Sequence, residues 1–473
     1  MELLFESRVN LSGFSGLLNF VQHKPEVHAE PVVVGDTFAD GKGLSIYGTV
    51  LRDGGRLRMW YLAIPEDWDY KRDMSSTAYA ESDDGIHWTK PTLKLIKHGP
   101  GPNNLVNISL HCPSVFIDPD SPPSHRYRAT GCGYKGLFMG HPDITEPGYY
   151  TAHSADGIGW ELDGTKPRWR SSDVITSIYH PFQKRGITAM KFTQRVNHIM
   201  RRSIHTAEFR NGEYSEPVSA LYPDEFDDIC AVARGHSSCD YYGMGMQGAG
   251  SGTVGFLWNF WHDMPYTWDA RFALYGTSDI TLIYQPDPGG RWFHMPGRPN
   301  FIDHTAQPWM DGWINTSSCP VEMGDEHWLY FSGIPISHGF YLNERWQTLD
   351  RWTEWTARHG KAGITFARWP KWRLFGFESD PEGSFTIDLG RIEKPSELLL
   401  NYRTKPDGRV RVELVDVKGR ALTDSVALTG DQLAGKAAWA DGTVIAPSGD
   451  KNVLARVHLE VATVYAYEVA PLS

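Results

Sequence analysis

Four aspartates stand just ahead of runs of β-forming residues, and their positions could carry chemistry. Asp40 precedes Ser45-Ile46-Tyr47, and Asp173 precedes Ile175-Thr176-Ser177-Ile178-Tyr179. Asp240 opens the run Tyr241-Tyr242-Gly243-Met244, and Asp311 lies between Trp309 and Trp313. Carboxylates gathered from separate segments suit acid–base cleavage of a glycosidic bond. One carboxyl protonates the leaving oxygen; the other attacks the sugar or activates water. Crowding like charges pushes one pKa up and so produces the proton donor. Nearby polar and aromatic groups would hold substrate: Asp36, Tyr47, Asn104, His111, Gln247, Trp309 and Trp313. Each has a structural alternative, as turn residue, loop cap or partner of a strand backbone.

The elements that would position these groups are strands. Ser82-Asp83-Asp84-Gly85-Ile86-His87-Trp88 returns as Ser154-Ala155-Asp156-Gly157-Ile158-Gly159-Trp160. Asp-Gly suits a tight turn, because glycine accepts positive φ and aspartate satisfies the turn amides. A weaker echo, Tyr214-Ser215-Glu216-Pro217, follows Arg210-Asn211-Gly212-Glu213, and a further one runs from Thr277 to Trp292. A recurring hairpin means a modular all-β chain. Five four-stranded units fit up to Phe377, which predicts a five-bladed β-propeller over residues 1–377. After Phe377 the aromatic density falls, and cleanly alternating runs such as Arg409-Val410-Arg411-Val412-Glu413-Leu414 predict a C-terminal β-sandwich over 378–473. In a propeller the first strand of each blade lines the axis, so functional residues belong at the starts of those strands, on one face.

Composition narrows the function. The net charge of −11 argues against a nucleic-acid or anionic-membrane surface. The 5 cysteines form no C-x-x-C pair, so zinc-ribbon and redox-motif readings fail. No basic-then-apolar leader is visible at Met1-Glu2-Leu3-Leu4, and the expected location is the cytoplasm, with reduced thiols. There is no H-E-x-x-H and no H-x-H, and no metal or cofactor is expected. A scattered site near His236, Asp240 and His338, or a calcium ion in the channel, remains the alternative. Gly248-Ala249-Gly250-Ser251-Gly252 lacks the lysine of a phosphate loop. Oligomerisation through the C-terminal domain or the stretch from His338 to Gly360 stays open.

The phrases Tyr79-Ala80-Glu81-Ser82-Asp83-Asp84-Gly85-Ile86-His87-Trp88, Asn103-Asn104, Arg126-Tyr127 and Leu400-Asn401-Tyr402 carry a family likeness. With them the chain resembles the five-bladed propeller glycoside hydrolases, which include invertase/levanase-like and arabinosidase/xylosidase-like enzymes. It resembles most a bacterial glycosyl-hydrolase-like branch. The resemblance implies a propeller with an appended sandwich and a carbohydrate ligand. A central propeller pocket favours one terminal sugar, and a furanoside such as a fructoside or arabinoside is the expected substrate. Among the strand-start carboxylates Asp40 is expected as base or nucleophile, and Asp173 or Asp240 as the acid. The W-x-N-D-P-N-G, R-D-P and E-C phrases of the invertase type are missing, as is the arabinosidase-type D-P opening. The alternatives are a non-catalytic sugar-binding propeller, or a transglycosylase or phosphorylase. Phosphorolysis would look to Arg201, Arg202 and His205 for phosphate.

Overall fold

The computed structural model describes the chain except residues 69–75, 109, 135–143, 172, 197–198, 263–274, 340–360, 424–425 and 473. Its strands form five antiparallel sheets arranged as blades, followed by one C-terminal sheet. The blades' first strands are Gly43–Asp53, His111–Ile117, Ile175–His180, Ser238–Ala249 and Trp313–Thr316. Each blade then runs outward strand by strand. Blade 2, for example, continues through Tyr127–Gly133 and Gly148–Ser154 to Glu161–Leu162.

Hydroxyl side chains stitch the first strands together. Thr49 Oγ1 lies 2.7 Å from Ser318 Oγ, Ser114 Oγ donates to the Ser177 carbonyl, and Thr176 Oγ1 donates to that of Met244. Ser318 N donates in turn to Gly48 O, which joins blade 5 back to blade 1. Thr49, Ser114, Ser177 and Ser318 are all fully buried. Small hydroxyls suit this place. They fill the tapering centre while pairing one another or a neighbouring strand's carbonyl, so these four buried hydroxyls keep partners.

The ring is closed by residues 26–34. Glu26–Val27 and Val33–Val34 add as outer strands to Gly363–Pro370 of blade 5. Residues 1–22, placed with the propeller by sequence, behave differently. Glu2–Leu3 and Leu11–Gln22 pair with the C-terminal strands Leu454–Pro471 and Phe375–Asp388. The resulting seven-stranded sheet shifts register within its long strand Ser396–Val415, between Thr404 and Arg409. Bulges of this kind bend a strand, and the sheet curves around its own core of Leu398, Leu400, Val410, Val457 and Phe385.

The repeated Asp-Gly phrase turns out to latch blades. Asp84 Oδ1 accepts from Ile86 N and His87 N, and Asp156 Oδ1 accepts from Ile158 N and Gly159 N. Each turn then points one carbonyl at the preceding blade. Gly85 O accepts from Tyr330 OH of blade 5 at 2.8 Å, and Gly157 O from Trp60 Nε1 of blade 1 at 2.8 Å. The glycines are required twice over. Their φ values are 82° and 78°, and a Cβ at Gly157 would lie 2.9 Å from the Trp60 ring.

Two departures from the sequence reading concern elements. Blade 1 has three strands, its fourth reduced to single bridges at Thr89 and Leu105. A helix, Glu225–Ala233, interrupts the path from blade 3 to blade 4, begun by a reciprocal cap between Asp224 and Asp227. Among the described residues no helix is long and apolar enough to cross a membrane.

Candidate active site at the propeller mouth

Blades 2, 3 and 4 bring a compact polar cluster to the face where the first strands begin. Asp173 precedes the first strand of blade 3 at φ 87°, and its amide donates to Cys132 Sγ of blade 2. Its Oδ2 accepts from Lys191 Nζ at 2.5 Å and from Tyr242 OH at 2.7 Å. Its Oδ1 faces His111 Nε2 at 3.5 Å. The side chain keeps 22% of its surface exposed, against 6% for Lys191 and 16% for His111. Burial pushes the Asp173 carboxyl up, but Lys191 and His111 outweigh it and hold the group well below the usual carboxylate range. Lys191 is pulled below its ordinary value by burial, against the opposing pull of Asp173.

Aromatic rings wall this cluster. Tyr242, Phe260, Trp313 and His338 pack edge to face or tilted, with centroids 4.7–5.5 Å apart. Tyr242 OH lies 2.9 Å from His338 Nε2, and its ring carries Lys191 Nζ at 4.0 Å. On the other side Tyr47 packs against His111 and Trp258, and Tyr134 against His111. Tyr47, Tyr134, His111 and His338 are partly exposed, so the wall has an open side. Burial, reinforced by the charge of Asp173, pushes the Tyr134 phenol well up.

The other nominated carboxylates lie elsewhere or are enclosed. Asp40 is fully buried at the join of blades 1 and 5. It accepts from Thr37 N, Thr37 Oγ1, Tyr61 OH and, at 2.6 Å, Lys90 Nζ. Asn104 belongs to the same network, donating to Tyr61 OH and to the Tyr79 carbonyl, and exposed Asp36 binds Lys90 from outside. Asp240 is 3% exposed between blades 3 and 4, held by Arg201, Arg202 and His262. Burial raises its carboxyl, and the His262 hydrogen bond with the two guanidiniums brings it below its ordinary value. The same ion pairs occupy both arginines, of which Arg201 also grips Asp228 through two bonds.

Asp311 is exposed on the link into blade 5, where its charge acts on His304. Trp309 donates to the Ala29 carbonyl and covers the strand that closes the ring. Trp313 is buried to 2% and supports Tyr242 and His338 from behind. Gln247 lies at the far end of its strand, beside His327, in a cavity of about 300 Å³ at the opposite mouth. The stretch 340–360, a candidate subunit contact by sequence, lies outside the described residues.

Sequence reasoning missed Lys191, Tyr242 and Cys112, and weighed His338 only as a ligand in a scattered metal site with His236 and Asp240. Lys191 did leave a signal. It shares a strand face with Ile187 and Ala189, so its ammonium interrupts an apolar row that burial requires to be paired.

No family model matches the sequence, and no curated protein does. Among solved structures it is similar to a complex of BT0996 with RGII. The identity there is 12%, over 73% of this chain and 92% of that one, with a TM-score of 0.48. It is similar to a thermostable family-43 glycoside hydrolase at 14% identity, over 72% and 95% of the two chains, with a TM-score of 0.43. The exo-inulinase of Aspergillus awamori is matched at 12% identity, over 93% and 99%, with a TM-score of 0.42.

Proposed function

We propose that the protein is a carbohydrate-active hydrolase that seats one end of a small glycoside at the propeller mouth, with Asp173 at the reacting end. The observation that carries this reading is the setting of Asp173. Of the four nominated carboxylates it alone sits within the aromatic wall and keeps surface open, with Oδ1 turned away from Lys191 and Tyr242. Half-buried rings such as Tyr47 and Tyr134 offer apolar faces to the C–H side of a sugar. His111 and His338 offer ring nitrogens to its hydroxyls. Below them the buried hydroxyls of Thr49, Ser114, Ser177 and Ser318 fill the axis, which favours a terminal sugar over the middle of an oligosaccharide. A furanoside is the class we would try first.

A second reading has support of its own. Asp40 and Asp240 are enclosed in ion pairs, so neither is free to face Asp173 across the mouth. A pair is what glycoside hydrolysis ordinarily uses. That favours a sugar-binding propeller without turnover. A panel of aryl glycosides and short oligosaccharides, run with Asp173→Asn alongside, separates the two. Cleavage of one class that the variant loses supports the hydrolase. Saturable sugar binding without cleavage supports the binding protein. Cleavage undiminished in the variant puts the site elsewhere.

A further inference from the structure

We infer that the mouth holds a divalent transition-metal ion of the zinc type, bound by His111, Cys112 and Asp173. Their donor atoms, one each of nitrogen, sulfur and oxygen, all lie within 4.8 Å of one another. Consecutive residues of a regular strand point to opposite faces, so His111 and Cys112 could not ordinarily share a centre. Here the strand breaks register between His111 and Ser114, and Cys112 takes a φ of 54°. The bulge turns both donors to one point. Asp173 approaches from blade 3, also at positive φ.

The spacing also suits one ion. His111 Nε2 and Asp173 Oδ1 are 3.5 Å apart. Zinc bonds of about 2.0–2.2 Å to nitrogen and oxygen, at a tetrahedral angle, put two such ligands about 3.4 Å apart. The Cys112 sulfur lies within 4.8 Å of both, inside the reach that a longer zinc–sulfur bond allows. The far side of the carboxylate is already fixed. Lys191 and Tyr242 bind Oδ2 and leave Oδ1 to ligate, the outer hydrogen bonding that orients a metal-bound carboxylate. The donor types choose the metal. Thiolate with imidazole and one carboxylate suits zinc rather than calcium or magnesium, which take oxygen. Three protein ligands leave a fourth position for water or a sugar oxygen. The use of that position in hydrolysis rests on the function proposed above; the binding of the ion does not.

The test uses the full-length protein, stripped with a chelator and titrated with zinc by calorimetry, then with cobalt(II) by absorption. The expected result is one equivalent of zinc and a thiolate-to-cobalt charge-transfer band. His111→Gln, Cys112→Ser and Asp173→Asn should each weaken zinc at least tenfold, and Cys112→Ser should abolish the band. The cobalt spectrum of the unaltered protein reports sulfur ligation by itself, so the inference stays testable even if a variant misfolds. Absence of saturable binding, or binding equal in all three folded variants, overturns it. Zinc bound with no glycoside cleaved would sink the hydrolase and keep the site. Cleavage that chelation leaves unchanged, in a protein that takes up no ion, would do the reverse.

Discussion

Replacing Asp40 should damage the fold and spare the chemistry. Its carboxylate accepts four hydrogen bonds in a site with no exposed surface, one of them from the Lys90 ammonium at 2.6 Å. All four end on an ionised carboxylate, where a hydrogen bond contributes about 1.5–3 kcal/mol, and bonds that share one acceptor group are not additive. Lys90 keeps Asp36 as a partner, but that side chain is 64% exposed, and an exposed pair contributes little. Asp40→Ala should therefore cost about 3–5 kcal/mol, the range for breaking a buried ion pair. Asp40→Asn keeps the Thr37 contacts but turns an amide towards Lys90 or Tyr61, at about 1–3 kcal/mol. Urea unfolding followed by tryptophan fluorescence is the assay, since Trp60 and Trp258 are fully buried in the blades. Turnover or sugar binding per folded molecule is measured beside it. If Asp40→Ala stayed within about 1 kcal/mol of the unaltered protein while function vanished, the placement of the site at Asp173 would be refuted.

Three further outcomes follow from the same structure. Gly157→Ala forces positive φ on a side chain, at about 1–2 kcal/mol, and pushes its Cβ into Trp60. Its melting temperature should fall and the Trp60 environment change, whereas Gly212→Ala, with open space around its Cβ, should lack the second effect. Asp240→Ala removes the carboxylate that Arg201, Arg202 and His262 share in a buried site and should cost about 3–5 kcal/mol in urea. His294 titrates against the fold. Burial, helped by Arg298 and opposed by Asp224, pushes its imidazole down to about 4, with Tyr241 OH at 3.1 Å and Asp227 behind that hydroxyl. The unfolded state therefore takes the proton first, so this contribution is full above about pH 6.5 and is lost as pH falls towards 4. The stability difference between His294→Gln and the unaltered protein should change across that window and be flat above it.

The architecture was legible because it repeats. Asp84-Gly85 and Asp156-Gly157 announce their turns by residue type, and Asn211-Gly212 does the same at φ values of 52° and 83°. The place of residues 1–22 was not legible. Which sheet a terminal strand joins depends on edges made by strands hundreds of residues away. For the candidate site, the rule that function sits at the starts of first strands named Asp173, His111 and Tyr47, which lie together in the structure. It could not distinguish Asp173 from Asp40 or Asp240, because the cations that enclose those two come from other blades or distant loops. Lys90, Arg201 and Arg202 look like solvated charges in sequence. Gln247 was drawn in by its strand, but a strand of twelve residues reaches the other mouth.

The most direct test of the central claim is a crystal structure with a sugar, or a sugar-like inhibitor, taken from the panel. Density is expected at the mouth where the first strands begin, against Tyr47 and Tyr134, with a ligand oxygen within bonding reach of Asp173 Oδ1 or of an ion held there. Density in the cavity beside Gln247, or in the groove of about 990 Å³ between blades 3 and 4 near Trp292, would contradict it.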